Sequence, residues 1–308
     1  MFKKKVIVKI SGGLGNQLFQ YSIGRMLSIK NGAPLYLDIS FFKNDKFYDR
    51  IFLLEQFNIK ADSIFSEAYE QKGINLINRF IKYYKKIEKT LNKFNKHFVD
   101  EPFFLEDEYS SHLNYLSGNP YNKFLNKIFY NKYKYIVLNG YWQSEKYFKS
   151  IEHIIRDDLE IIQPIPLEKK TIESNLRSTN SVCIGVRQYT DSPASANHFK
   201  LDVNYYNKAM DDISKKIDSP KFYVFTLEKD WVKDNITGYP LTIIEPSITN
   251  ETAYIDLYLM TQCKHFIIAN STFHWWGAWL ADNDNKIVIA PSKGWGNECA
   301  IPDVWIKI

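Results

Sequence analysis

Strand-like apolar runs alternate with helical spacings along most of this chain, and that alternation constrains the fold more than any other feature. Residues 5 to 10, KVIVKI, read as a buried strand and the turn SGGLGN follows. NQLFQYSIGRMLSIKNG then carries Leu18, Tyr21, Ile23 and Leu27 at helical spacing, stops at Gly32, and gives way to a second strand, LYLD. Pro164 and Pro166 interrupt any helix over IIQPIPLEKK, residues 161 to 170. Beyond them SVCIGVR, KFYVFTL, LTIIEP, HFIIA and KIVIAP read as strands, with helical spacings over 203 to 217 and 253 to 263. Strands that alternate with crossover helices build parallel sheets. The expected architecture is therefore α/β with two Rossmann-like domains: residues 1–160, with a helical insertion at about 65–130, and residues 165–308.

The 308 residues, 45% of them hydrophobic, suffice for two cores. A net charge of +5, from 40 basic and 35 acidic residues, is too mild an excess to indicate nucleic acid; an anionic small molecule or an anionic membrane surface fits it as well. Cys183, Cys263 and Cys299 form neither a disulfide framework nor a metal-ligand cluster, which suits a reducing cytoplasm. MFKKKVIVKI has too short an apolar core for a signal peptide, and no run reaches the ~20 apolar residues that span a bilayer. FIKYYKKIEKTLNKF, residues 80 to 94, sets Phe80, Tyr84, Ile87, Leu91 and Phe94 on one helical face against lysines. It reads either as a core-facing helix or as one that lies on anionic headgroups at the inner face of the membrane.

Four places carry candidate chemistry. IANSTFHWWGAWL crowds Asn270, Ser271, Thr272 and His274 against three tryptophans after a strand, which is both an ordinary helix start and an anion cradle. Arg187 and Gln188 follow the strand SVCIGV at its carboxyl end, where open parallel sheets bind ligands. A guanidinium there suits phosphate, or pairs with a nearby acid. Gly13, Gly15, Asn16 and Gln17 lie in a strand-to-helix loop that misses the dinucleotide fingerprint, because Leu18 stands where its third glycine belongs. His198, Asp191 and Glu228 are the titratable groups nearby in sequence. Asp282-Asn283-Asp284 falls between a helix end and a strand and reads as a turn, so no metal site is expected.

Taken together, SGGLGNQLFQYSIGRMLS, NGYWQSEKYF, HFKLDVNYYNKAM and DLYLMTQCKHFIIANSTFHWWGAWL, with Arg50, Leu53 and Phe57, resemble the bacterial α-1,2-fucosyltransferases of glycosyltransferase family 11. The resemblance implies a GT-B fold with two domains that face a cleft. It implies an inverting transfer of L-fucose from GDP-fucose to a galactose-containing glycan, with no metal and no other cofactor. The setting it implies is O-antigen or other surface polysaccharide synthesis in the cytoplasm, on an oligosaccharide acceptor that is lipid-linked in one version. Carried onto this chain, Gly13, Gly15, Asn16 and Gln17 line the cleft and Arg187 grips the diphosphate. Gln188, Thr226, Glu228, Asn270, Ser271, Thr272, Phe273 and His274 line the donor site. Asp191 and His198 stand ahead of Glu228 as candidate general bases.

The departures fall in the donor half. The family's HIRRGDY reads GVRQYTD, its FSDD reads FTLE, and His274 replaces a serine. Gln188 cannot supply the charge of the arginine it replaces, so either His274 compensates or the donor is another nucleotide-linked deoxysugar. A binding protein that has lost turnover is the third reading. Arg187→Ala is expected to abolish donor binding with little effect on folding.

Overall fold

The computed structural model describes residues 5–45, 49–66, 103–105, 135–190, 198–247, 249–295 and 299–308. The basic segment 80–94, most of the expected insertion, and Asp191 lie outside them. The chain forms two compact units. One comprises Met1–Ser11, Gln20–Asn44 and Lys60–Tyr141, the other Gly12–Phe19, Asp45–Ile59 and Trp142–Ile308. The division after Tyr141 comes before the proline segment, because 142–160 clusters with the second unit.

The first unit is built on a parallel sheet of β1 (Lys5–Lys9), β2 (Leu35–Asp38), β3 (Ser63–Phe65), β4 (Phe103–Leu105) and β5 (Tyr135–Asn139), in the order β3-β2-β1-β5-β4. Val6, Ile7 and Val8 are buried, as an unbroken apolar run requires of a strand covered on both faces. Helix α1 (Leu14–Asn31) connects β1 to β2. Its Gly24 sits against Val8, where a Cβ would collide with the valine side chain, so the glycine sets how closely helix and strand approach.

The second unit holds six parallel strands: β6 (Ser181–Gly185), β7 (Lys221–Phe225), β8 (Leu241–Ile243), β9 (His265–Ile267), β10 (Val288–Ala290) and β11 (Ile306–Lys307). Their order is β11-β10-β9-β6-β7-β8. Crossovers run through α2 (Val203–Ser214), α3 (Lys229–Asn235), α4 (Ala253–Thr261) and α5 (Thr272–Leu280). Helix α2 starts where the Asp202 side chain accepts from the Tyr205 N–H, and it buries Tyr206, Ala209, Met210 and Ile213 on one stripe against Val182, Ile184, Phe222 and Val224. From β6 the chain steps outward to β7 and β8, then returns to place β9 on the opposite flank of β6. The carboxyl ends of β6 and β9 thus form the topological switch point, the crevice in which open α/β sheets take ligands.

Candidate nucleotide-sugar site

The switch point brings together the two segments singled out from the sequence. After β6 come Val186, Arg187, Gln188 and Tyr189; after β9 come Ile268 to Ser271, and then α5. Ser271 holds the N-cap position with extended backbone (φ −129°, ψ 124°), but no side chain caps the helix. Its first-turn N–H groups are therefore left for another acceptor, and with the helix dipole they favour an anion.

Arg187 Nη1 donates to Glu228 Oε1 at 3.2 Å, and the guanidinium lies over the Tyr189 ring at 5.0 Å. The Glu228 side chain is only 2% exposed, whereas that of Arg187 keeps 16%. Thr226 Oγ1 donates to Glu228 Oε2 at 3.1 Å and accepts from the Glu228 N–H at 2.9 Å, so the end of β7 fixes the carboxylate. Of the two sequence readings of Arg187, the structure shows the pairing with an acid, and its side chain keeps some exposure at the switch point. Gln188, in contrast, is buried and donates to the Leu201 carbonyl at 2.9 Å.

His274 lies in the first turn of α5 and its ring is set against Gly185: a Cβ on residue 185 would stand 2.5 Å from Nδ1 and 2.8 Å from Cδ2. Nδ1 is buried with no hydrogen-bond partner. Burial, with a smaller contribution from the Arg187 charge, pushes the imidazole pKa down to about 3. His274 is therefore neutral at physiological pH, and the charge lost at Gln188 is not restored by it.

Asn270 is a strut. Its Nδ2 donates to the Phe199 carbonyl at 3.0 Å and the Gly294 carbonyl at 3.2 Å, and its own carbonyl accepts from the Tyr189 hydroxyl at 2.8 Å. Its Oδ1 is buried without a partner. Ser271, Thr272 and Phe273 are half-buried at the helix start. His198 is exposed, with its ring stacked on Tyr189 at 4.2 Å and 12° between planes.

The tryptophans of the block are anchors, each with its indole N–H satisfied: Trp275 to the Ala300 carbonyl at 2.8 Å, Trp276 to the Gly15 carbonyl at 3.0 Å, Trp279 to Glu145 Oε2 at 2.9 Å. The glycine loop meets the same helix. A Cβ on Gly15 would come within 2.6 Å of the Phe273 nitrogen and the Thr272 carbonyl carbon, so only glycine permits this approach. Asn16 Oδ1 accepts from Gln143 at 3.1 Å. Gln17 is buried, donating to the carbonyls of Gly12 and Ile51 and accepting from the Leu53 N–H. Gly13 lies 4.0 Å from Arg50 Nη1, measured from an added Cβ. Gly15 thus packs against the first turn of α5, while Gln17 ties the glycine loop to residues 51–53.

At the far end of α5, Arg156 stacks on Trp279 at 4.4 Å and donates to the carbonyls of Trp279 and Leu280. Lys286 donates to those of Trp279 and Ala281, and burial brings its pKa down to about 8. Two cations at the helix C-terminus complement the dipole whose positive end faces the site. Residues 284–285 form a turn, closed by the Lys286 N–H on the Asn283 carbonyl at 3.2 Å and with Asn283 Oδ1 accepting from the Asn285 N–H at 3.0 Å. Among the described residues no cluster of three or more His, Cys, Asp or Glu side chains could hold a metal ion.

Sequence reasoning passed over Tyr189, Asn270 as a strut, and the cations at the end of α5. Tyr189 had one signal available, since letter by letter it falls on the glycine of HIRRGDY.

The two parallel Rossmann-like sheets are those of the GT-B type of fold, with an arginine and an uncapped helix N-terminus at one switch point. The model of Glycosyl transferase family 11 matches residues 5–298, and the chain belongs to that family. Among curated proteins it is 29% identical to an Escherichia coli α-1,2-colitosyltransferase over 98% of both chains. It is 31% identical to the Escherichia coli O-antigen biosynthesis glycosyltransferase WbnK, over 97% of this chain and 99% of that one. The fold is shared with a NodZ α-1,6-fucosyltransferase soaked with GDP-fucose (TM-score 0.52, 14% identity, 90% of this chain and 92% of that one). It is shared also with an Arabidopsis thaliana FUT1 variant in complex with GDP (TM-score 0.55, 12% identity, 93% and 71%).

Proposed function

We propose that the protein transfers a deoxyhexose from a GDP-linked donor to a hydroxyl of a galactose-containing oligosaccharide, with α-1,2 linkage and inversion, during O-antigen synthesis. The observation that carries this reading is the meeting of Arg187 with the uncapped N-terminus of α5 at the β6/β9 switch point. In the reaction the acceptor oxygen bonds to the anomeric carbon as the bond from that carbon to the phosphate oxygen breaks. The electron pair leaves with the nucleoside diphosphate. Arg187 and the N–H groups of Thr272 and Phe273 stabilise the negative charge that develops there, which is the largest contribution such a site makes, and they do so without a metal. His198, exposed beside Tyr189, and Asp191 are the candidate groups for the acceptor proton.

L-Fucose is the first donor sugar to test, and colitose is the second. The likeness to a colitosyltransferase along the whole chain favours the second, and the altered GVRQYTD and FTLE segments are compatible with it. A thermal-shift panel of GDP, UDP, CDP and dTDP tests the base; stabilisation by UDP or dTDP alone rejects a GDP-linked donor. Mass spectrometry of a galactosyl oligosaccharide incubated with GDP-fucose or GDP-colitose tests the sugar, and no product from either points to a binding protein without turnover.

Among the described residues no helix is long and apolar enough to cross a membrane. We place the work in the cytoplasm, on a lipid-linked acceptor, with the lysines of 80–94 touching anionic headgroups. Equal sedimentation with anionic vesicles after those lysines are neutralised removes the membrane contact.

A further inference from the structure

The turn that follows β6 runs through a left-handed backbone at Tyr189 (φ 57°). A Cβ disfavours that region, and a bulky residue stays in it only where its surroundings over-determine it, a condition met most often at functional sites. Tyr189 is held by its hydroxyl on the Asn270 carbonyl at 2.8 Å, by the Arg187 guanidinium over its ring at 5.0 Å, and by the His198 ring stacked at 4.2 Å. Asn270 is the residue before the N-cap of α5. The phenol therefore joins the arginine of one switch-point segment to the helix start of the other.

We propose that Tyr189 is a positioning residue, which fixes the guanidinium of Arg187 in register with the N-terminus of α5 so that both meet one diphosphate. The inference rests on the reading of these groups as the donor site. Glu228 accepts from the guanidinium at Nη1. The aromatic face restricts its plane, and the hydroxyl keeps the ring from rotating with it. Glycine would relieve the backbone conflict at this position, so the side chain is retained for what it holds.

The test compares the parent with Tyr189→Gly and Tyr189→Phe by calorimetric GDP affinity and by denaturation midpoint. Tyr189→Gly is expected to weaken GDP binding about tenfold without a matching fall in midpoint, since a displaced guanidinium loses its aligned contacts while the backbone relaxes. Tyr189→Phe keeps the ring and loses the tether, and is expected to bind about threefold more weakly; because its volume is nearly unchanged it stays informative if the glycine variant fails to fold. In an Arg187→Lys background the phenylalanine change is expected to have little further effect, because the tyrosine acts through that arginine. Affinity within twofold of the parent for Tyr189→Phe, or an undiminished loss in the Arg187→Lys background, overturns the proposal. If the parent itself binds no GDP, the donor-site reading fails instead.

Discussion

The imidazole of His274 occupies the space that a side chain on residue 185 would need, so Gly185 and His274 form one packing unit across the β6/β9 switch point. Gly185→Ala is expected to cost about 1–3 kcal/mol, because the ring is buried and cannot simply swing away. In the double variant Gly185→Ala/His274→Ala the added methyl meets no ring, and the coupling between the two changes is expected to be about 1 kcal/mol or more. Urea denaturation of the four proteins measures it; additive losses would show that the two residues do not share the space.

Arg187→Ala is expected to damage the fold as well as the donor site. Its partner Glu228 is 2% exposed, and removal of the guanidinium leaves that buried carboxylate without its counter-charge, bonded still to Thr226. Breaking such a pair costs about 3 kcal/mol or more, contrary to the small effect on folding expected from the sequence. Arg187→Ala/Glu228→Gln is expected to recover much of the stability and none of the GDP binding. Recovery of both in calorimetry would remove Arg187 from the diphosphate site.

Gly15→Ala tests the approach of the glycine loop to α5. The atoms within 2.6 Å of the added methyl include the Phe273 nitrogen and the Thr272 carbonyl carbon, which are backbone and cannot rotate aside. A loss of about 2 kcal/mol or more is expected, with a shifted emission spectrum as the Trp276–Gly15 hydrogen bond lengthens. A parent-like urea midpoint would refute the close approach.

His274 also leaves a pH signature. Its folded-state pKa, about 3, lies below the ordinary histidine value of 6.5, so the unfolded chain binds more protons between those limits. The stability linked to the neutral ring is fully present above about pH 6.5 and is lost as pH falls towards 3, with a slope of up to about 1.4 kcal/mol per pH unit. His265, also lowered by burial, adds in the same direction. His274→Leu is expected to flatten this part of the curve, and equal slopes for parent and variant between pH 6.5 and 4 would show the ring to be solvated.

Much of the architecture was readable because parallel strands buried on both faces must be apolar runs, and β1, β6, β7 and β9 all lie within predicted strands. Arg187 and Asn270 could be nominated because a strand's carboxyl end and a helix start are local features. That they share one crevice depends on the pairing of β6, which begins at Ser181, with β9, which begins only at His265. Gln188 illustrates the limit: its place beside Arg187 suggested a donor contact, but the direction of its side chain is set by the Leu201 carbonyl, which no local pattern reveals.

The sequence by itself determined the alternating α/β class, the family, and the segments that carry polar groups at strand and helix ends, since periodicity and capping chemistry are written in neighbouring residues. Tertiary structure alone decided what those groups do. It buried His274 against Gly185 and so made it neutral, paired Arg187 with Glu228, and joined Tyr189 to the helix start through Asn270. Charge state and alignment depend on what lies within a few ångströms, and here those neighbours come from distant parts of the chain.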